Sequence, residues 1–298
     1  LPLDDGTLDF WSGNAGFRPD PSSPEVTKHA KNCFRATPKQ GGAHDLNAGC
    51  VSDRAGREGT GMIFREVNLH PAVQSVEFKR LLRVPADYAF AGPLATHAEW
   101  VRTWFAAHGR PWVCAREVNS CEVLDGMVRL GGVTVFSREL ARRFRHARTA
   151  IVVAASAGAE AEAEAASRLA DDEPDRYYFM ESYASAIVEA LIGEARARLC
   201  AWADAQVRVL LPHYSPGYHG WSVADQAKVF SLLASDAGLP GPLAVMESGM
   251  LLPKKSQLAV FAVAQAVDAT GEDADLVPCK YCPHLRCDFR REPCELAS

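Results

Sequence analysis

The run TAIVVAASAG, residues 149–158, decides the fold. Its β-branched and small apolar residues follow one another without the alternation of a half-solvated strand, which is the pattern of a strand buried inside a sheet. It ends in Ala155, Ser156, Ala157 and Gly158, small residues that suit a turn where backbones come close together.

Working outward from that strand, SRELARRFRHA (137–147) starts with a Ser N-cap and carries Leu140, Phe144 and Ala147 along one face, as a short amphipathic helix does. Before it, CEVLDGMVRLGGVTVF (121–136) predicts a hairpin of two short strands about Asp125-Gly126, a dipeptide that favours tight hairpin turns. HAEWVRTWFAAHG (97–109) has Trp100, Val101, Trp104 and Phe105 at helical spacing, with Gly109 as its stop.

Downstream, AEAEAEAASRLADD (159–172) has the composition of a solvated helix. FMESYASAIVEALIGEARARLCAWADA (179–205) predicts a long helix with Ala184, Ile187, Val188, Leu191 and Ile192 as its buried stripe. Gly193 costs that helix about 1 kcal/mol relative to Ala, so close packing against a neighbour or ligand is expected there. A strand at VRVLLP (207–212), a helix near 223–236, and strands near 243–247 and 256–264 complete the pattern. Strands and helices interleave throughout, which gives an α+β or mixed α/β domain over residues 111–270. It is flanked by an amino-terminal extension, 1–110, and a cysteine-rich tail, 271–298.

The extension opens with 60 residues rich in Gly, Pro, Asp, Asn and Ser and reads as an irregular arm. Its GREGTGM (56–62) lacks the Lys-Ser/Thr of a phosphate loop and reads as a turn. The 298 residues are 48% hydrophobic and 23% charged, a globular balance, and the net charge of −5 argues against nucleic acid as the main partner. No apolar run approaches the roughly 20 residues of a bilayer span. The start LPLDDGTLDFW has neither the basic nor the apolar segment of a signal peptide, so a cytoplasmic location is expected.

Two stretches carry chemistry. In HYSPGYHGW (213–221), Pro216 fixes φ and Gly217 permits positive φ, the pairing of a type II turn. Such a turn would hold Tyr214 and Tyr218 and expose nearby amides to a ligand with a carboxylate, an amine and a flat ring. It reads equally as a strand-to-helix connection whose tyrosines cover the core. In VMESGMLLPKKSQLAVFAV (245–263), Glu247, Ser248, Lys254 and Lys255 sit at a strand-loop-strand corner, where the lysines also fit plain surface charges.

Taken in order, AASAG (154–158), YASAIVEAL (183–191), YSPGY (214–218), ADQAKVFSLL (224–233) and MESGMLLPKKS (246–256) resemble the activation domain of cobalamin-dependent methionine synthase, and most closely its stand-alone relatives. The resemblance covers roughly 128–290 and leaves 1–110 unaccounted for. It implies an activation-domain-like sheet with packed helices that binds S-adenosylmethionine and presents its methyl group to a corrinoid on a partner. In that family, inactive Co(II) cobalamin is reduced by one electron and methylated, the domain supplying position rather than acid-base chemistry. Carried across, His213, Tyr214, Ser215, Pro216, Gly217 and Tyr218 would line the S-adenosylmethionine loop. Glu189, Glu247, Ser248 and Lys254 are further candidates for contact with the ligand. His213 stands where the family has an Arg; imidazole lacks the bidentate fork and is charged only toward acid pH, so a pH-dependent affinity is expected.

The tail CKYCPHLRCDFRREPC places Cys279, Cys282, Cys287 and Cys294 within a few turns of chain, with His284 as a possible substitute ligand. Thiolates at that spacing suit zinc or an iron-sulfur cluster, and the first three resemble the tails of some stand-alone relatives. A cluster could relay an electron toward cobalt; zinc would only staple the tail. The other five of the nine cysteines, Cys33, Cys50, Cys114, Cys121 and Cys200, are scattered and read as buried or incidental thiols, and His44 and His70 as structural. The expected function is an S-adenosylmethionine-binding protein that reactivates a corrinoid on a partner methyltransferase, with a reductase or flavodoxin-like protein as electron donor. A corrinoid-binding enzyme using the extension as its lid, and a scaffold for a partner protein, are the alternatives.

Overall fold

The computed structural model describes residues 61–233 and 238–266, together with 278–285, 287, 290, 293 and 294 of the tail. The irregular arm, residues 1–60, with GREGT (56–60), Cys33, Cys50 and His44, lies outside the described residues.

The stretch 149–158 forms most of β6 (Ala147–Ser156), the middle strand of a five-stranded sheet. With β1 (Met62–Val67), β2 (Trp112–Val118), β7 (Arg208–Leu210) and β10 (Ser256–Gln265), the order is β1-β2-β6-β10-β7, every pairing antiparallel. Residues 150–157 are all buried because both faces of the sheet are covered. On one face, Val113, Ala115, Ile151, Val153, Ala155, Ala259, Phe261 and Val263 meet the helices. On the other, Trp112, Cys114, Val152, Ala154, Leu258, Val260 and Ala262 meet Tyr214, Trp221 and a small second sheet. Each fully buried Val, Ile or Phe contributes about 1.5–3 kcal/mol, which explains the missing alternation.

The helical layer comprises α1 (Ser75–Leu81), α2 (Gly92–His108), α4 (Ala159–Ala170) and α5 (Pro174–Asp204). Pro174 starts α5, a position where its missing N–H is no loss, so the helix begins earlier than its apolar stripe predicts. Ala184, Ile187, Val188, Leu191 and Ile192 are buried as expected. Gly193 is not: it is exposed, and an added Cβ would meet nothing within 4 Å. Its expected close packing is therefore corrected, because it faces solvent on the side opposite the stripe. Gly193→Ala is expected to raise stability by up to about 1 kcal/mol in urea denaturation.

Three further differences arise from tertiary packing. Residues 121–136 form a three-stranded meander rather than one hairpin: β3 (Cys121–Leu124), β4 (Met127–Leu130) and β5 (Val133–Phe136). Asp125-Gly126 turns the first pair, and Gly131-Gly132, both at positive φ, turns the second. The helix expected near 223–236 is a 3-10 turn, Val223–Asp225, running into α6 (Gln226–Ser231); residues 234–237 lie outside the described set. Finally, 62–108 supplies an edge strand and two helices to the same core, with Phe78, Ala98, Val101 and Phe105 buried against α5. Between residues 62 and 108 the chain is thus part of the domain rather than an extension to it.

α3 (Arg138–Arg143) is capped by Ser137, whose hydroxyl accepts from Leu140 N–H. Short strands β8 (Ala244–Val245) and β9 (Leu251–Leu252) frame the second chemistry-bearing turn. The resulting architecture is α+β.

Candidate functional site

β7 leads into the 213–221 loop, and the backbone fastens it at once: Tyr214 and Val260 exchange hydrogen bonds in both directions at 2.9 Å. The next four residues form the expected type II turn, with Tyr218 N–H donating to Ser215 O at 3.0 Å and Gly217 at φ +92°. Gly217 N–H then donates to Trp221 O, and Trp221 N–H to Tyr218 O. The amides of Tyr214, Gly217, Tyr218 and Trp221 are therefore engaged within the fold. The expectation that the turn offers its amides to a ligand does not hold for these four.

What the loop does present is side chains. Gln257, at the start of β10, donates to the Ser215 hydroxyl and to the Tyr218 hydroxyl, both at 3.2 Å. The His213 ring lies 5.3 Å from Phe261 and 6.2 Å from Tyr218, and Tyr218 stands edge-on to Tyr214 at 5.3 Å. His213 and Tyr218, two half-buried rings, and the half-buried Gln257 amide thus lie together, with the Ser215 hydroxyl buried behind them as a partner of Gln257. Tyr214, by contrast, is a core residue, 1% exposed, and Pro216 is buried with it. Burial pushes the Tyr214 phenol well up from its ordinary value; Arg143 opposes this, while Glu139 and the tail thiol of Cys282 add to it. Gln257 has no sequence signal beyond being a polar residue at the head of an apolar strand.

The second motif forms a tight turn, with Met246 N–H donating to Met250 O and Gly249 N–H to Met246 O. Gly249, at φ +83°, sits so close to the Val223 carbonyl that a Cβ there would lie 2.8 Å from its oxygen. A Cβ on Gly217 would lie 3.8 Å from the Val223 side chain. Val223 is therefore the point at which the two motifs, far apart in the chain, come together. Glu247 and Ser248 are exposed on this turn, and the Ser248 hydroxyl accepts from Met250 N–H at 3.4 Å.

The lysine corner serves a different purpose. Lys254 pairs with Glu181 at 2.7 Å and its own N–H reaches Glu162 at 3.0 Å; Lys255 pairs with Glu181 at 3.1 Å and donates to Ser185 at 3.0 Å. Both ammonium groups tie the 253–256 corner to α5 through Glu181, Lys254 from an exposed position. Glu189 is half-buried further along α5. An open groove of about 600 Å³ runs between α4 and residues 242–253, lined by Ala159, Ala163, Leu243, Leu252 and Pro253 with Glu162. It contains none of the loop residues, and its apolar walls offer little to orient a polar ligand.

In the tail, Cys279, Cys282, Cys287 and Cys294 are half-buried and joined in no disulfide. Among the described residues no group of three or more His, Cys, Asp or Glu that could hold a metal ion is seen. An organising group is Arg290, whose guanidinium donates to the carbonyls of Cys279, Cys282 and His284 at 2.7, 2.7 and 3.0 Å. Burial pushes Cys114 up to about 11 and Cys121 up to about 12, which leaves both as inert thiols. His70 is exposed.

The fold matches a solved structure described as the MetH reactivation domain bound to AdoHcy. The TM-score is 0.51 and the sequence identity 11%, with 71% of this chain and 81% of that chain covered. No protein-family model matches the sequence, and no curated protein does. The chain therefore has the α+β fold of the reactivation domain, as the ordered motifs predict, over a larger share of its length than those motifs span. At 11% identity the likeness is one of fold. Among the described residues no helix is long and apolar enough to cross a membrane.

Proposed function

We propose that this protein binds S-adenosylmethionine at the 213–218 loop and supports reductive methylation of a corrinoid carried by a partner methyltransferase. The observation that carries this reading is the 213–218 turn, held against β10 on a reactivation-domain fold, with the His213 ring near Tyr218 and the Gln257 amide bonded to the Tyr218 and Ser215 hydroxyls. The solved neighbour, by its description, holds AdoHcy, the demethylated form of such a ligand.

The chemistry asked of these residues is positioning. A sulfonium is attracted to the face of an aromatic ring, which Tyr218 supplies. Gln257 fixes the Tyr218 and Ser215 hydroxyls, so the ligand meets groups already oriented. In its acidic form His213 serves the methionyl carboxylate, and Glu189 is the carboxylate for the ammonium group. Glu247 and Ser248 stand at the rim, on the turn that Val223 joins to Gly217. The methyl group passes from sulfur to the cobalt of the partner's corrinoid, leaving S-adenosylhomocysteine, with one electron from an external reductase or flavodoxin-like protein. A zinc or iron-sulfur site at Cys279, Cys282, Cys287 and Cys294 remains part of this proposal as a staple or relay, and the reading at the 213–218 loop does not depend on it.

Calorimetric titration with S-adenosylmethionine between about pH 5.5 and 8, the range over which histidine titrates, tests the reading. Micromolar binding is expected, tighter toward acid pH, and weakened about tenfold, roughly 1.4 kcal/mol, in Tyr218→Ala. Absence of binding across the whole range would overturn it.

A further inference from the structure

The loop rests on α3, and the contact is unusually polar for a core. Arg143 is 2% exposed, its charge held by Glu139 at 2.6 Å. Burial pulls the Glu139 carboxyl up, but the hydrogen bond from Arg142 and the charges of Arg143 and Arg142 outweigh it and hold the acid below its ordinary value. The Arg143 guanidinium carbon sits 4.2 Å from the centre of the Tyr214 ring, close enough for a cation–π contact shielded from water. The Tyr214 hydroxyl donates to His219 O, and the Ser137 hydroxyl donates to Gly220 O at 2.7 Å. Gly220, at φ +76°, lies so near α3 that a Cβ would come within 2.9 Å of the Glu139 Cβ. Trp221 closes the set, its ring parallel to Tyr214 within 9° and its N–H donating to Asp225.

We infer that Arg143, held by Glu139, is the positioning residue for the ligand loop: it fixes Tyr214, and through the Tyr214–Tyr218 edge contact it sets where the Tyr218 ring stands. Burying an arginine, even one paired with the partly exposed Glu139, is a costly way to fill a core, since an apolar residue of similar volume is often as stable. What an apolar residue lacks is a directional hold on the Tyr214 ring. Two hydroxyls, one at the cap of α3 and one on the ring that Arg143 holds, pin consecutive carbonyls, so α3 and the loop move as one body. For its ligand arm this inference rests on the S-adenosylmethionine reading; for its structural arm it does not.

Arg143→Met and Arg143→Lys, made in the full chain, separate the two. Backbone hydrogen exchange followed by mass spectrometry reads the amides of Tyr214, Gly217, Tyr218 and Trp221 without any ligand. Arg143→Met is expected to lower protection of these amides at least tenfold while those of β6 and β10 away from residue 260 stay protected, with Arg143→Lys intermediate. S-adenosylmethionine affinity is expected to fall about tenfold in Arg143→Met, less in Arg143→Lys, and to fall little further when Tyr218→Ala is added. Unchanged loop protection, or an equal loss across β6, β10 and the loop, overturns the inference by making Arg143 an ordinary core residue. If Arg143→Met does not fold, the lysine variant carries the same comparison. Loop protection lost in a chain that binds no S-adenosylmethionine, the wild type included, overturns the ligand reading and leaves the α3 clamp standing.

Discussion

Phe261→Ala is expected to lower the unfolding free energy by about 3–5 kcal/mol, the range for removing a buried phenylalanine from a core that relaxes only partly. Phe261 is fully buried, lies opposite Ile151 in the register of β10 against β6, and belongs to the core shared with α5. It also supports His213, whose ring rests 5.3 Å from it. The same substitution should therefore weaken S-adenosylmethionine binding at temperatures where the variant is still folded. Equilibrium guanidinium denaturation measures the first effect; a loss under about 1 kcal/mol would mean that the core is not built around the centre of β10.

Gly158→Ala comes next, at about 2–5 kcal/mol, combining backbone strain with overpacking. Gly158 has φ +96° and ψ 154°, a region that only glycine occupies readily. An added Cβ would lie 2.9 Å from the Arg110 carbonyl oxygen and 2.7 Å from a Glu160 carboxylate oxygen. Glu160 can swing aside; the Arg110 backbone, just ahead of β2, cannot do so without moving that strand. Gly132→Ala is the control, because Gly132 has φ +97° and a Cβ added there would meet nothing within 4 Å. Its cost, about 1–2 kcal/mol, isolates the strain. Equal losses at the two positions would show that the approach of Arg110 contributes nothing.

Much of the fold is legible in local pattern. The unbroken apolar run at 149–158, the small residues at its end and the stripe from Ala184 to Ile192 each follow from burial, which local sequence records directly. So does the type II turn at Ser215–Tyr218, because Pro and Gly restrict φ by their own chemistry. At 121–136 the sequence reading falls one strand short, because Gly131-Gly132 makes a second turn inside what otherwise reads as one continuous apolar stretch. The expected packing of Gly193 fails because the cost of a glycine within a helix does not tell which way the position faces.

The candidate site is only half legible, for the same reason. Its loop has a local signature, so His213, Ser215 and Tyr218 can be named. Gln257, Val223 and Arg143 have none, since each acts across a long stretch of chain: Gln257 on Ser215 and Tyr218, Val223 on Gly249, Arg143 on Tyr214. Lys254 has a ligand-like sequence setting, yet its charge goes to Glu181. The amino-acid sequence by itself determined the buried central strand, the long helix and the rigid turn, because propensity, periodicity and φ restriction are properties of neighbours in the chain. Only the tertiary structure decided which side chains the turn faces and that 62–108 belongs to the core, because antiparallel pairing and helix packing join residues that no local pattern connects.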